Sequence, residues 1–169
     1  MNYFELYDLP ISIKVDRSIV LKKYYALSKQ FHPDTVAQSD DKAKAQALLN
    51  SSDINKAKRV LDQPLLRIEH ILQIHHALSS DEKQTLSPFF LAEMMELNED
   101  LAQHASDGTL TEDKAKLCIE PFIVEAERTI AEYKDKDELV VDTDVLENLK
   151  NYYFKRKYID RVVEQFLNQ

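Results

Sequence analysis

The sequence predicts an all-α protein, and three observations carry that expectation. One glycine and five prolines in 169 residues are too few for the turns of hairpins and Greek keys, or for a phosphate-cradling loop. Apolar residues recur at alternating spacings of three and four along most of the chain, the period of a helix that buries one stripe. A hydrophobic content of 44% is ordinary for a folded chain, and this length allows one or two modest cores.

Taken in order, Tyr3 to Leu9 reads as a short helix stopped by Pro10. Asp16 is placed to N-cap a second helix through Phe31, whose apolar face is Val20, Tyr24, Leu27 and Phe31. Lys22 and Lys29 share another face, with Lys23 and Arg17 near it, so this helix is apolar inside and basic outside. A third helix starts near Asp40 and carries Ala43, Ala47, Asn50, Ile54, Ala57 and Leu61. Two such helices bury their stripes against each other as an antiparallel pair. Pro64 can open a further turn or helix, with Leu65, Ile68, Leu72 and His75 on its stripe. The polar segment before Pro88 reads as a boundary. Pro88 to His104 repeats Phe90, Met94, Leu97 and Leu101. Thr111 caps the next helix, expected to run to about Lys134 with a kink or break near Pro121. A final helix, Thr143 to Leu167, carries Leu149, Tyr152, Ile159, Val163 and Phe166.

The net charge of −8 is uneven: residues 1–78 hold 11 Lys/Arg against 9 Asp/Glu, residues 79–169 hold 11 against 21. An acidic chain is a poor ligand for nucleic acid, and the asymmetry suggests two halves with different partners. A single cysteine, Cys118, leaves no intrachain disulfide or cysteine metal cluster, so a reducing, cytoplasmic setting is the default expectation. The N-terminus has no signal-like segment, and no apolar run approaches the ~18 residues of a membrane span. No metal or cofactor is expected: His70, His75 and His76 cluster only loosely and read as surface or half-buried side chains. Cys118 reads as a small buried hydrophobe.

His32, Pro33 and Asp34 follow the basic helix directly. A catalytic dyad needs side chains that meet, with a nucleophile or substrate pocket beside them. Two residues flanking a proline in a helix-to-loop turn tend to point apart, and no nearby Ser or Cys is set up as a nucleophile. Two other readings stay open at this point: a plain helix stop, since proline disfavours α conformation at His32, or a rigid exposed knob for a partner. On the Pro88 helix, Leu91 and Met95 lie beside the core stripe, with Glu99 continuing the row and Glu96 alongside. Periodicity slightly favours a wide core stripe over an apolar row rimmed with acids for protein binding.

The run of Tyr24, Leu27, Phe31, His32, Pro33 and Asp34, then a loop and a long helix with Ile54, Asn55, Ala57 and Leu61, resembles the J-domain of co-chaperones. The opening "NYFELYDLP", the closing "PLLRIEHIL" and the later "FFLAEMMELNEDL" are similar to the HscB family, the J-proteins of iron–sulfur cluster assembly. The resemblance implies a J-domain, a helical hairpin with a His-Pro-Asp loop, over 1–76, a linker over 77–87, and a client-binding three-helix bundle over 88–169. It implies a DnaK/HscA-class ATPase chaperone contacted through His32, Pro33 and Asp34, with Lys22, Lys23 and Lys29 supplying attraction. It implies an IscU-type scaffold as client, held by Leu91, Met95, Glu96, Glu99 and Phe154, and no catalysis by this chain. Asp8 stands where Gly is expected, and Thr35 where a basic residue is expected.

The alternatives are a J-protein with a different client and a small hydrolase using His32 and Asp34. A third is a plain bundle with a chance triplet. General co-chaperones add Gly/Phe-rich and cysteine-rich zinc regions, which one glycine and one cysteine argue against.

Overall fold

The computed structural model describes residues 1–32, 41–78 and 86–167, which form seven α-helices and no strand. These are α1 (Tyr3–Leu6), α2 (Arg17–Gln30), α3 (Asp41–Asp62), α4 (Pro64–Ile74), α5 (Pro88–Ser106), α6 (Glu112–Arg128) and α7 (Thr143–Leu167). Two compact units emerge: Met1–His76 with Tyr133–Val140, and Ala77–Glu132 with Val141–Gln169.

In the first unit, α1 is shorter than the expected Tyr3–Leu9. Asp8 takes a left-handed backbone, φ +48°, which ends the helix, and the Leu9 N–H turns back to the Phe4 carbonyl. Asp16 caps α2 as expected, its Oδ1 accepting the Ser18 N–H at 2.7 Å. Arg17 at the start of α2 reaches the Asp62 carbonyl at the end of α3. Midway, the Tyr24 hydroxyl meets Asn55 Oδ1 at 3.0 Å, so the two helices run antiparallel. Ala47, Ile54, Ala57 and Leu61 are buried from α3, while α2 buries Val20 and half-buries Tyr24, Leu27 and Phe31. Phe4 and Tyr7 complete this core with Ile68, Ile71 and Leu72 of α4.

Besides His70, three polar groups lie inside this unit. The Tyr7 hydroxyl donates to the Ile54 carbonyl at 2.9 Å, and burial raises its pKa. The Arg67 guanidinium, 4% exposed, donates to the Leu61 and Ile13 carbonyls; burial pushes its pKa down to about 10. Ser12 is buried; its hydroxyl donates to the Lys136 carbonyl at 2.7 Å and accepts the Lys14 N–H. The Leu139 N–H bonds the Ile11 carbonyl at 2.7 Å. The strap Tyr133–Val140 thus pairs with residues 11–14.

In the second unit, Ser87 caps α5, Thr111 caps α6 and Asp142 caps α7 through their side-chain oxygens. Phe90, Met94, Leu97 and Leu101 are buried as expected. Helix α6 runs through Pro121 without a break, and it ends at Arg128 rather than near the expected Lys134. Pro121 is exposed. The buried stripe outlasts the helix, because Ile130 stays buried in the turn that follows. On α7, Val162 is buried where Val163 was expected, and Phe166 is half-buried. A step of three rather than four after Ile159 keeps the stripe on the core.

Candidate protein-docking sites

The first site lies on α2. Lys22 and Lys29 are exposed, seven residues apart, with Tyr25 between them at 64% exposed. Tyr25 was missed by the sequence reading, although its place one step off the buried stripe was a usable signal. Lys23 behaves differently. Its Nζ donates to the Asp8 carbonyl and lies 3.0 Å from Asp8 Oδ2. The left-handed backbone at Asp8 brings both oxygens to one cation. At the far end of α2, Phe31 closes the helix through its N–H to the Leu27 carbonyl, and His32 follows, exposed. Pro33, Asp34 and Thr35 lie outside the described residues.

The second site lies on α5. The four-residue stripe fills the core side by itself, and Leu91 and Met95 are 37% and 61% exposed. The wide-stripe reading of these two residues therefore fails. Glu96 and Glu99 are exposed beside them. Phe154 sits on α7, half-buried, with its ring tilted against Tyr153 at 5.4 Å. An apolar row edged by carboxylates can bury against a partner's apolar surface while excluding anionic ones.

The histidines resolve unequally. His70 is buried, contrary to expectation; its Nε2 accepts the Tyr3 N–H at 3.0 Å, and its ring stacks on Tyr3 at 4.3 Å. Burial first, then the N-terminal ammonium, lowers its pKa. The imidazole is thus held neutral with its proton on Nδ1. His75 and His76 are exposed, and His75 caps α4 instead of joining its stripe. All three line a depression of about 730 Å³ with Tyr3, Glu5 and Ile11. Among the described residues no three His, Cys, Asp or Glu side chains converge as a metal requires. Cys118 is half-buried rather than buried. No described helix is long and apolar enough to cross a membrane.

No family model matches the chain. A co-chaperone protein HscB homolog of Vibrio cholerae serotype O1 is 41% identical over 102 residues, 60% of each chain. The homolog of Vibrio atlanticus is 37% identical over 114 residues, 67% of this chain and 66% of that protein. The matched part thus spans about 60% of the length of the Vibrio cholerae relative. Among solved structures, the chaperone HscB from Vibrio cholerae superposes with a TM-score of 0.71 at 28% identity, covering 98% of this chain and all of that one. Human co-chaperone protein HscB shares the fold with a TM-score of 0.78 at 24% identity, covering 98% of this chain and 80% of that one. With relatives near 40% identical over about 60% of their length, and a solved HscB chaperone of the same helical fold, the chain is similar to the HscB co-chaperones.

Proposed function

We propose that this protein is a co-chaperone of iron–sulfur cluster assembly. It presents an IscU-type scaffold protein to a DnaK/HscA-class chaperone and stimulates that chaperone's ATPase. The observation that carries the reading is the pairing of a cationic α2 face ending at exposed His32 with an apolar, acid-edged row on α5. The functional modules are taken as 1–76 and 88–169, joined by 77–87.

Lys22 and Lys29 attract an acidic chaperone surface and orient the encounter. His32, Pro33 and Asp34 then act at the contact, and the chaperone carries out the hydrolysis. The role asks no bond-breaking of this chain. Leu91, Met95, Glu96, Glu99 and Phe154 hold the client. Holding both partners turns the meeting of client and chaperone into an intramolecular event, at an effective concentration of roughly millimolar for short linkers.

His32→Gln tests the reading. It should abolish stimulation of the chaperone's ATPase and leave the circular dichroism spectrum and client binding unchanged. Undiminished stimulation by this variant removes the mechanism, and a preference for some other protein over the scaffold removes the client assignment.

A further inference from the structure

The second unit has an apolar surface that neither docking site uses. Phe89 and Glu93 lie on the flank of α5 opposite Leu91 and Met95, with the buried stripe between the two flanks. They border a cleft of about 470 Å³ shared with Pro121, Phe122 and Glu125 of α6 and Lys155 of α7. Pro121 and Glu125 also border a second hollow of about 520 Å³ with Leu117, Glu120, Val124 and Arg128. Phe89 is 73%, Leu117 72% and Val124 43% exposed, so the apolar surface is continuous across the two hollows. Scattered exposed apolar residues need no explanation, but a contiguous patch with a polar rim marks an interaction surface.

The rim gives the patch a sign. Glu93, Glu120 and Glu125 stand around it. Of the two cations, Arg128 is paired with Glu125 at 3.2 Å and Lys155 lies over the Phe90 ring at 5.5 Å. Pro121 has no N–H, so the Leu117 carbonyl on this face cannot accept its usual helical bond. A ligand therefore meets apolar rings, carboxylates and a backbone acceptor together.

We infer that the α5–α6 face carrying Phe89, Leu117, Pro121 and Val124 is a second docking surface, and that it takes a cationic, amphipathic segment of a partner protein. The segment sets leucine-like side chains into the two hollows and its Lys or Arg side chains against Glu93 and Glu120. This occupant is distinct from the client proposed for the Leu91 row, so both can be bound at once.

The test uses the full chain, labelled with nitrogen-15, and two synthetic amphipathic peptides: leucine with lysine at helical spacing, and leucine with glutamate. The lysine peptide should shift amides at Phe89, Glu93 and residues 117–128. Phe89→Ser with Leu117→Ser should weaken its binding on the order of tenfold, about 1.4 kcal/mol. Should that variant melt early, Glu93→Lys with Glu120→Lys replaces it and should weaken binding similarly. Leu91→Ala with Met95→Ala should leave peptide binding unchanged. Shifts spread over the whole acidic surface, equal binding of the glutamate peptide, or undiminished binding by the surface variants would overturn the inference. So would self-association of the chain that Phe89→Ser with Leu117→Ser abolishes, since the face would then belong to a second copy.

Discussion

Helices α2 and α5 each put one stripe into a core and offer the other side to a proposed partner, yet the offered sides are made of opposite materials. On α2 it is Lys22, Tyr25 and Lys29; on α5 it is Leu91 and Met95 with Glu96 and Glu99. Exposed charge acts across a Debye length, ~10 Å at 0.1 M salt, so α2 should govern how often and in what orientation a partner arrives. Apolar burial acts only at contact, so α5 should govern how long a partner stays. The proposed function would thus put rapid capture of the chaperone and slow release of the client on different helices.

The hardest test of this contrast uses two adjacent residues. Met94 is fully buried and Met95 is 61% exposed. Met94→Ala should cost ~2–5 kcal/mol of stability through the cavity it leaves. Met95→Ala should stay within ~0.5 kcal/mol. Combined with Leu91→Ala, it should weaken scaffold binding by ~2 kcal/mol or more. Thermal melts and client titrations on the same samples check this. Equal melting losses at 94 and 95, or full client affinity in the double variant, would collapse the distinction between core and docking row.

The charged side sharpens next. Lys22→Glu with Lys29→Glu should slow association with the chaperone on the order of tenfold at low salt, and the difference should fade as salt is added. Lys23→Met should change association far less, because its ammonium already serves Asp8, and should take ~0–1 kcal/mol from stability. Stopped-flow association across a salt series decides it. A Lys23 effect equal to that of Lys22 and Lys29 would return Lys23 to the docking set.

The smallest effect is a pH dependence confined to the first unit. Folding holds His70 neutral, so the unfolded chain binds more protons near the ordinary imidazole value of 6.5. The stability contributed by the Tyr3–His70 bond is therefore complete above that value and is lost as pH falls through the lower folded value. Denaturant melts across this range should show a decline toward acid that His70→Gln removes. A wild-type chain equally stable at both ends, or a variant with an unchanged slope, contradicts it.

Most helices were legible because each solves its burial with local spacing alone. The α5 stripe at 90, 94, 97 and 101 and the α3 stripe at 47, 54, 57 and 61 needed no knowledge of what lay opposite. Lys22 and Lys29 were equally plain from their seven-residue interval. The missed features depend on residues distant in sequence. His70 is buried because Tyr3, 67 residues away, gives it an N–H. Arg67 is satisfied by a carbonyl 54 residues back, and Ser12 by one 124 residues ahead. The Lys23–Asp8 pair needs a left-handed residue that no periodicity announces. Leu91 and Met95 show the limit in miniature, since spacing put them at the edge of a stripe whose width only packing decides.

The strap also bears on how the chain is made. The first unit is complete only when Tyr133–Val140 joins Met1–His76, and Val140 is synthesised 64 residues after His76. At translation rates of about 5–20 residues per second, that is a delay of roughly 3–13 s. During it the Ile11 carbonyl and the Ser12 hydroxyl lack the hydrogen bonds they make to the strap in the finished protein. The nascent module can gather its helices on the ribosome, but its last seam closes only after most of the acidic bundle has been translated. A pause or truncation between these points would release a first module without its strap, with residues 11–14 left open to water or to other chaperones.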